Sequence, residues 1–230
     1  MRILIIGAGV AGLTLAALLR QRGETPVIIE RDASLASHGY MLGLYPLGGR
    51  VLHGLGLHPE YMARSTTMRA YTIGTTRGQL LRKYSLAQIT RRHGPIQGIG
   101  RDALVKLLLE AVDDAQIRTG TTVTGLTRHD DVVEVEFSDG SAGSFDLVVA
   151  ADGMHSDTRS QILAADEFAY RDTGWGGWVF CAEPESAPAH EFPEHWGAGR
   201  FPRLYPARGR VGVSAGGLTH GLTEHGHATA

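Results

Sequence analysis

Gly7, Gly9 and Gly12 fall within MRILIIGAGVAGLTLAALL, directly after the apolar run Ile3–Ile6, and Glu30 follows 18 positions after the last of them. A phosphate needs backbone N–H groups aimed at it, and a side chain at the turn would hold it away. Gly7 permits the tight turn, Gly9 lets a pyrophosphate approach the main chain, and Gly12 lets the next helix pack closely on the strand. The helix amino terminus adds unpaired donors and a partial positive charge. An acid at the position of Glu30 is spaced to accept hydrogen bonds from a ribose hydroxyl. Singly, these features describe a tight turn and a solvated strand end; together they point to dinucleotide binding. This unit leaves open whether the dinucleotide is a nicotinamide or a flavin.

The elements that must hold these residues can be read around them. Ile3–Ile6 has the length and continuous apolarity of a parallel strand covered on both faces. Residues 13–22 carry a helical pattern closed by Gly23, which suits a left-handed cap, and residues 26–30 (PVIIE) form a second strand. Strand, glycine turn, helix and strand make a βαβ unit with a right-handed crossover and parallel strands. Residues 34–56 are glycine-rich and expected to be largely irregular, apart from a short helix ending at VLHGLGL. Residues 68–84 alternate around TTRGQ as a hairpin does. A helix starts at Asp102, with Leu104, Leu107, Leu108, Ala111 and Val112 on one buried face. Val133, Val135 and Phe137 alternate with acids in an antiparallel ribbon, and residues 145–150 (FDLVVA) are expected to return to the parallel sheet as one buried strand. Residues 175–183 (WGGWVFCAE) are strand-like.

The composition is that of an ordinary globular protein: 230 residues, 43% hydrophobic, 20% charged, with a formal net charge of -2. That charge gives no reason to expect nucleic acid or an anionic membrane as partner. Cys181 is the only cysteine, so an intrachain disulfide is excluded, and it is expected to be a small buried apolar residue. Glycines interrupt the opening apolar stretch, which speaks against a membrane or signal segment, and a cytoplasmic location is the default expectation. His220, His225 and His227 lack an accompanying carboxylate or thiol pattern, so no metal site is expected.

Two later segments bear on the cofactor. IGRDALVKLLLEA places Arg101 immediately before a helix, and DLVVAADGMHSDTR places Asp152 and Gly153 just past a strand. With GAGVAG and Glu30, these resemble the FAD-dependent aromatic hydroxylases of the para-hydroxybenzoate hydroxylase type, over residues 1 to about 216. The resemblance implies an α/β fold: a Rossmann-like FAD-binding domain, with a parallel sheet and an antiparallel β-ribbon, plus part of a β-sheet substrate domain. It implies a first FAD segment at 1–66, a substrate-domain hairpin at 67–95, a second FAD segment at 96–166, part of a substrate-domain sheet at 167–216 and a flexible tail at 217–230.

The implied cofactor-binding residues are Gly7, Gly9, Ala11 and Gly12 for the pyrophosphate, and Glu30 with Arg31 for the adenosine ribose. Arg101 would reach the pyrophosphate and ribityl region, the backbone of Val123 the adenine, and Asp152 and Gly153 the family's second fingerprint. The family's third fingerprint, a Gly-Asp pair followed by small residues, has no counterpart in residues 154–230, so the carboxyl-terminal part of the family pattern is expected to be absent.

The activity implied is FAD-dependent monooxygenation, with NADPH or NADH as electron donor and O2 as co-substrate, on a small aromatic or olefinic molecule. No side chain is assigned as catalytic acid or base; His53, His93 and His155 are read as solvated or structural, and Tyr45 or Arg50 as residues that could touch substrate or nicotinamide. Two alternatives stand beside this reading. One is a catalytically silent dinucleotide-binding or interaction module, and the other a flavin-dependent halogenase or reductase of the same cofactor fold.

Overall fold

The computed structural model describes residues 1–35, 39–113, 115–183 and 189–219. The chain runs β1 (Ile3–Ile6), α1 (Val10–Arg20), β2 (Val27–Ile29), β3 (Met41–Leu44), α2 (Pro46–Gly54), α3 (His58–Arg64), β4 (Thr66–Met68), β5 (Ala70–Thr75), β6 (Leu80–Ser85), α4 (Ala87–His93) and β7 (Ile96–Gly100). It continues with α5 (Arg101–Glu110), β8 (Gln116–Arg118), β9 (Val123–Arg128), β10 (Val133–Phe137), β11 (Ala142–Phe145), β12 (Leu147–Ala150), α6 (Arg159–Ile162), β13 (Trp175–Ala182), β14 (Glu191–Trp196), β15 (Arg200–Ala207) and β16 (Arg210–Leu218). The described residues fall into two compact units, one from Met1–Ser37 and Val105–Arg171, the other from His38–Leu104 and Asp172–Ala230.

The first unit is built on a parallel sheet in the order β12-β1-β2-β8. β1 is central and wholly buried, which is why its sequence is apolar at every position. Helix α1 covers one face through Leu13, Ala16 and Ala17. Leu4, Ile6 and Ile29 pack on the other face against Val123, Val135, Phe137 and Phe145 of the antiparallel ribbon β9-β10-β11. Helix α1 starts earlier than its apolar pattern suggests, because Gly9 already has the extended backbone of an N-cap. Gly23, with φ +81°, ends the turn after α1 and donates its N–H to Arg20 O at 2.9 Å, as expected for a left-handed cap.

One expectation fails here. FDLVVA is not a single buried strand: Phe145 ends the ribbon strand β11, and only Leu147–Ala150 pairs with β1. Asp146 makes the break, its carboxylate accepting the Arg2 N–H at 2.6 Å while its own N–H donates to Arg2 O. β12 is an edge strand, so Leu147 stays exposed despite its apolar character.

The second unit carries a six-stranded sheet in the order β13-β16-β15-β14-β5-β6, antiparallel throughout except for the parallel pair β14–β5. The hairpin expected around TTRGQ is present as β5 and β6. A smaller antiparallel sheet, β3-β7-β4, lies against the large one. Gly98 makes that approach possible, since a Cβ there would sit 2.0 Å from Pro206 O. The stretch expected to be irregular therefore contains ordered structure: β3 pairs with β7, and α2 begins with Pro46 in its first turn and buries Leu52. Glycines needed for close packing look like loop glycines when only local sequence is read. Cys181 is half-buried rather than buried, and its thiol donates to Gly39 O at 3.2 Å. His220, His225 and His227 lie outside the described residues.

Candidate functional site

The glycine turn joins β1 to α1 in the first unit. Gly7 has φ +104°, where a side chain is strained, and its N–H donates to Ile29 O at 2.8 Å. A Cβ on Gly12 would lie 1.9 Å from Gly7 O, so this glycine lets the helix close onto the turn. A Cβ on Gly9 meets nothing within 4 Å. Gly7 and Gly12 are thus required by packing, whereas the absent side chain of Gly9 leaves room only for something outside the fold.

Helix α1 has no side-chain cap and no acid in its first turn. The first N–H with an intrahelical partner is that of Leu13, which donates to Gly9 O at 3.0 Å. The donors before it, with exposed Ala11 among them, form the kind of amide cluster that binds an anion. Glu30 points at this turn: its Oε2 accepts the Ala8 N–H at 2.8 Å and its Oε1 the Asp32 N–H at 3.0 Å. Each oxygen keeps a lone pair for a further donor, such as a sugar hydroxyl. Arg31 is exposed and reaches Asp157 at 3.7 Å, a contact of small energetic weight.

Asp152 and Gly153 follow β12 in the same unit, and the turn they start lies against Gly7, whose Cβ would come within 2.6 Å of Ala151 O. Burial raises the Asp152 pKa, but hydrogen bonds from Ser156 and Thr158 outweigh it and hold the carboxyl below its ordinary range. Thr158 Oγ1 donates at 2.8 Å. Arg159 Nη1 donates to Met154 O at 3.0 Å and Nη2 to Gly153 O at 3.2 Å, clamping the turn. Sequence reasoning did not assign Ser156, Thr158 or Arg159 this supporting role, although their spacing after Asp152 was available as a signal. Val123 is buried in the ribbon core, where its side chain packs with Phe137 and Leu4.

Arg101 belongs to the second unit, whereas the other predicted cofactor-binding residues belong to the first. Its N–H donates to Tyr40 O at 2.8 Å and its guanidinium lies 5.9 Å from the Tyr40 ring centre. The next residue, Asp102, is gripped by Arg210 through Nη2, at 2.8 and 2.7 Å to its two oxygens, which fixes where the helix starts.

The second unit also holds a cavity of about 420 Å³ lined by Tyr45, Tyr71, Phe192, Glu194, Arg203 and Tyr205, among others. Glu194 is buried; it accepts a short hydrogen bond from the Tyr71 hydroxyl, and one from Arg203 Nε at 2.6 Å. Burial and then the Glu194 contact push the Tyr71 phenol up to about 12. Of the two loop residues singled out by sequence, Tyr45 lines this cavity, while Arg50 lines a separate hollow with His53, His58 and His93. Among the described residues no group of His, Cys, Asp and Glu could hold a metal ion, and no helix is long and apolar enough to cross a membrane.

Residues 1–199 match the family described as FAD binding domain. The chain belongs to the FAD-dependent aromatic hydroxylase family. Within that family it is 36% identical over 165 residues to the 3-amino-4-hydroxybenzoate 2-monooxygenase of Streptomyces cremeus, covering 70% of this chain and 42% of that protein. It is 31% identical over 173 residues to a flavin-dependent monooxygenase from an unknown prokaryotic organism, covering 75% and 45%. The solved structure of HpxO from Klebsiella pneumoniae, complexed with FAD and uric acid, superposes with a TM-score of 0.86 at 28% identity, over 97% of this chain and 58% of that one. The chain spans under half the length of the curated relatives it matches, 45% for the first.

Proposed function

We propose that this chain carries the dinucleotide- and substrate-binding elements of an FAD-dependent monooxygenase that uses NADPH or NADH and O2 to hydroxylate a small aromatic or olefinic molecule. The observation that carries the reading is the alignment of three features: the open space at Gly9, the uncapped start of α1 and the Glu30 carboxylate turned toward the same turn. Those residues fit a dinucleotide. Gly9 and the first-turn amides would take the pyrophosphate, Glu30 a ribose hydroxyl, and the Asp152–Gly153 turn would border the same ligand, with the Val123 backbone as a further contact. Bound FAD supplies hydride acceptance and oxygen activation. The protein contributes position and exclusion of water: Arg159, Ser156 and Thr158 fix the Asp152 turn, and the aromatic cavity of the second unit holds the molecule to be oxidised.

The lining of that cavity supports the substrate class, as do the relatives, which include an aminohydroxybenzoate monooxygenase and a protein crystallised with uric acid. With its single cysteine and its need for a reduced nicotinamide, the protein fits the cytoplasm. Titrating FAD into the purified chain while following flavin fluorescence tests the reading. Saturable binding is expected, weakened about tenfold by Glu30→Gln, which removes a charged acceptor. NADPH oxidation by the loaded protein would add the enzymatic half. Failure to bind FAD at high micromolar concentration would overturn the proposal in favour of a silent module.

A further inference from the structure

The sheet face that floors the 420 Å³ cavity continues beyond it. Tyr84, Tyr71, Phe192 and Tyr205 form an aromatic ladder across β6, β5, β14 and β15, with neighbouring ring centres 6.1, 5.4 and 4.7 Å apart. Two residues along each strand comes the register pair Glu194 and Arg203. Two residues further, on the same face, stand Trp196 of β14 and Phe201 of β15, with Trp175 of β13 at 5.4 Å from Phe201. These outer aromatics line a second hollow of about 300 Å³, to which Glu194, Arg200 and Arg203 also contribute. Glu194 and Arg203 therefore form a wall common to both hollows. Arg203 faces both ways: Nε donates to Glu194 while its guanidinium lies 4.7 Å from the Phe201 ring centre.

We propose that the two hollows are one binding track for an extended planar substrate, a multi-ring aromatic molecule with a polar group near its middle. This rests on reading the second unit as the substrate-binding part of the monooxygenase. One ring system lies over Phe192 and Tyr205, the polar group bonds at the Glu194–Arg203 pair, and a second aromatic portion stacks on Trp175, Trp196 and Phe201. A single-ring substrate would use the inner cavity alone and leave Trp175 and Trp196, 46% and 54% exposed, in water. Large aromatics held out on a sheet face beside a cavity mark a contact surface. The outer hollow is small and shares the Glu194–Arg203 pair with the inner one, which suits the tail of a small molecule better than a protein surface.

Calorimetric titration of the full chain with benzoate, naphthalene-2-carboxylate and anthracene-2-carboxylate tests this. Affinity is expected to rise at least about tenfold from one ring to three. Trp196→Ala should erase that gain and leave benzoate binding unchanged; its exposed side chain makes an unaltered thermal melt the accompanying control. Equal affinities along the series, loss of all three ligands alike in Trp196→Ala, no binding at all, or outer aromatics that serve only self-association of the chain would each overturn the track. FAD titration of the same preparations separates the two readings. Normal FAD binding with a flat series sinks the track alone, whereas a graded series without FAD binding sinks the monooxygenase reading alone.

Discussion

The glycine turn of the first unit and the aromatic cavity of the second are built from opposite materials. At the turn the binding groups are main-chain amides, exposed because side chains are missing, and one carboxylate, Glu30, is aimed at them. In the cavity the groups are side chains from β5, β14 and β15, held by hydrogen bonds among themselves. A site of the first kind tolerates almost no added atom, while one of the second kind tolerates changes of shape but not loss of a partner.

The largest expected effect breaks the turn. Gly12→Val puts a branched side chain where even a Cβ would lie 1.9 Å from Gly7 O. Backbone cannot yield there as a side chain can, so a loss of about 3 kcal/mol or more, with loss of FAD binding, is expected in denaturant melts and flavin titration. Gly9→Ala is the matched control, since its Cβ meets nothing within 4 Å. It should keep the melt within about 1 kcal/mol of the parent yet weaken FAD at least about tenfold. A Gly9→Ala protein that binds FAD normally would show that the open space serves no ligand.

These two glycines also explain what could be read from sequence. The spacing of Gly7, Gly9, Gly12 and Glu30 is local, all within one βαβ unit, and each position has a separate steric or hydrogen-bonding reason. The Asp152 turn was visible for the same reason, because a strand and its following turn are contiguous. By contrast, Tyr71 lies 123 residues from Glu194, and nothing in either segment signals the contact. Glu194 reads as one acid in an alternating, Pro-containing stretch until β14 and β15 pair. β3 and β7 were missed because Gly43 and Gly98 look like loop residues; both are in fact strand residues, and Gly98 lets two sheets approach. FDLVVA misled in the other direction: the apolar residues on either side of Asp146 hid the change of sheet there.

A smaller effect tests the cavity. Arg203→Ala leaves the buried Glu194 carboxylate with Tyr71 as its remaining side-chain hydrogen-bond donor among the described residues. Removing one partner of a fully buried pair costs about 3–5 kcal/mol; with the Arg203 side chain 35% exposed, about 2 kcal/mol is expected in urea melts. Replacing both members, Arg203→Met with Glu194→Leu, should recover most of that stability, because no charge is then stranded. If the double variant is as unstable as the single one, the pair acts through packing and the contrast between the two regions fails.

The smallest effect separates the regions by pH, and the sign differs between them. The Asp152 pKa is depressed in the folded chain, because hydrogen bonds from Ser156 and Thr158 outweigh the effect of burial. Its contribution is present above the ordinary carboxylate pKa of about 3.9 and is lost as pH falls through the lower folded value. Tyr71 is raised from 10.0 to about 12 by burial and by Glu194, so its contribution is complete below 10.0 and is lost as pH climbs through about 12. Acid should therefore loosen the Asp152 turn, and alkali the cavity. Melts across both arms are expected to show Asp152→Asn flattening the acid slope only and Tyr71→Phe the alkaline slope only. Buried Tyr61, also raised by burial, leaves a residual alkaline slope in Tyr71→Phe. Asp139, also held below its ordinary range by Ser141 and Arg118, leaves a residual acid slope in Asp152→Asn; an acid slope as steep as the parent's would mean that the Ser156 and Thr158 hydrogen bonds hold the turn without needing its charge.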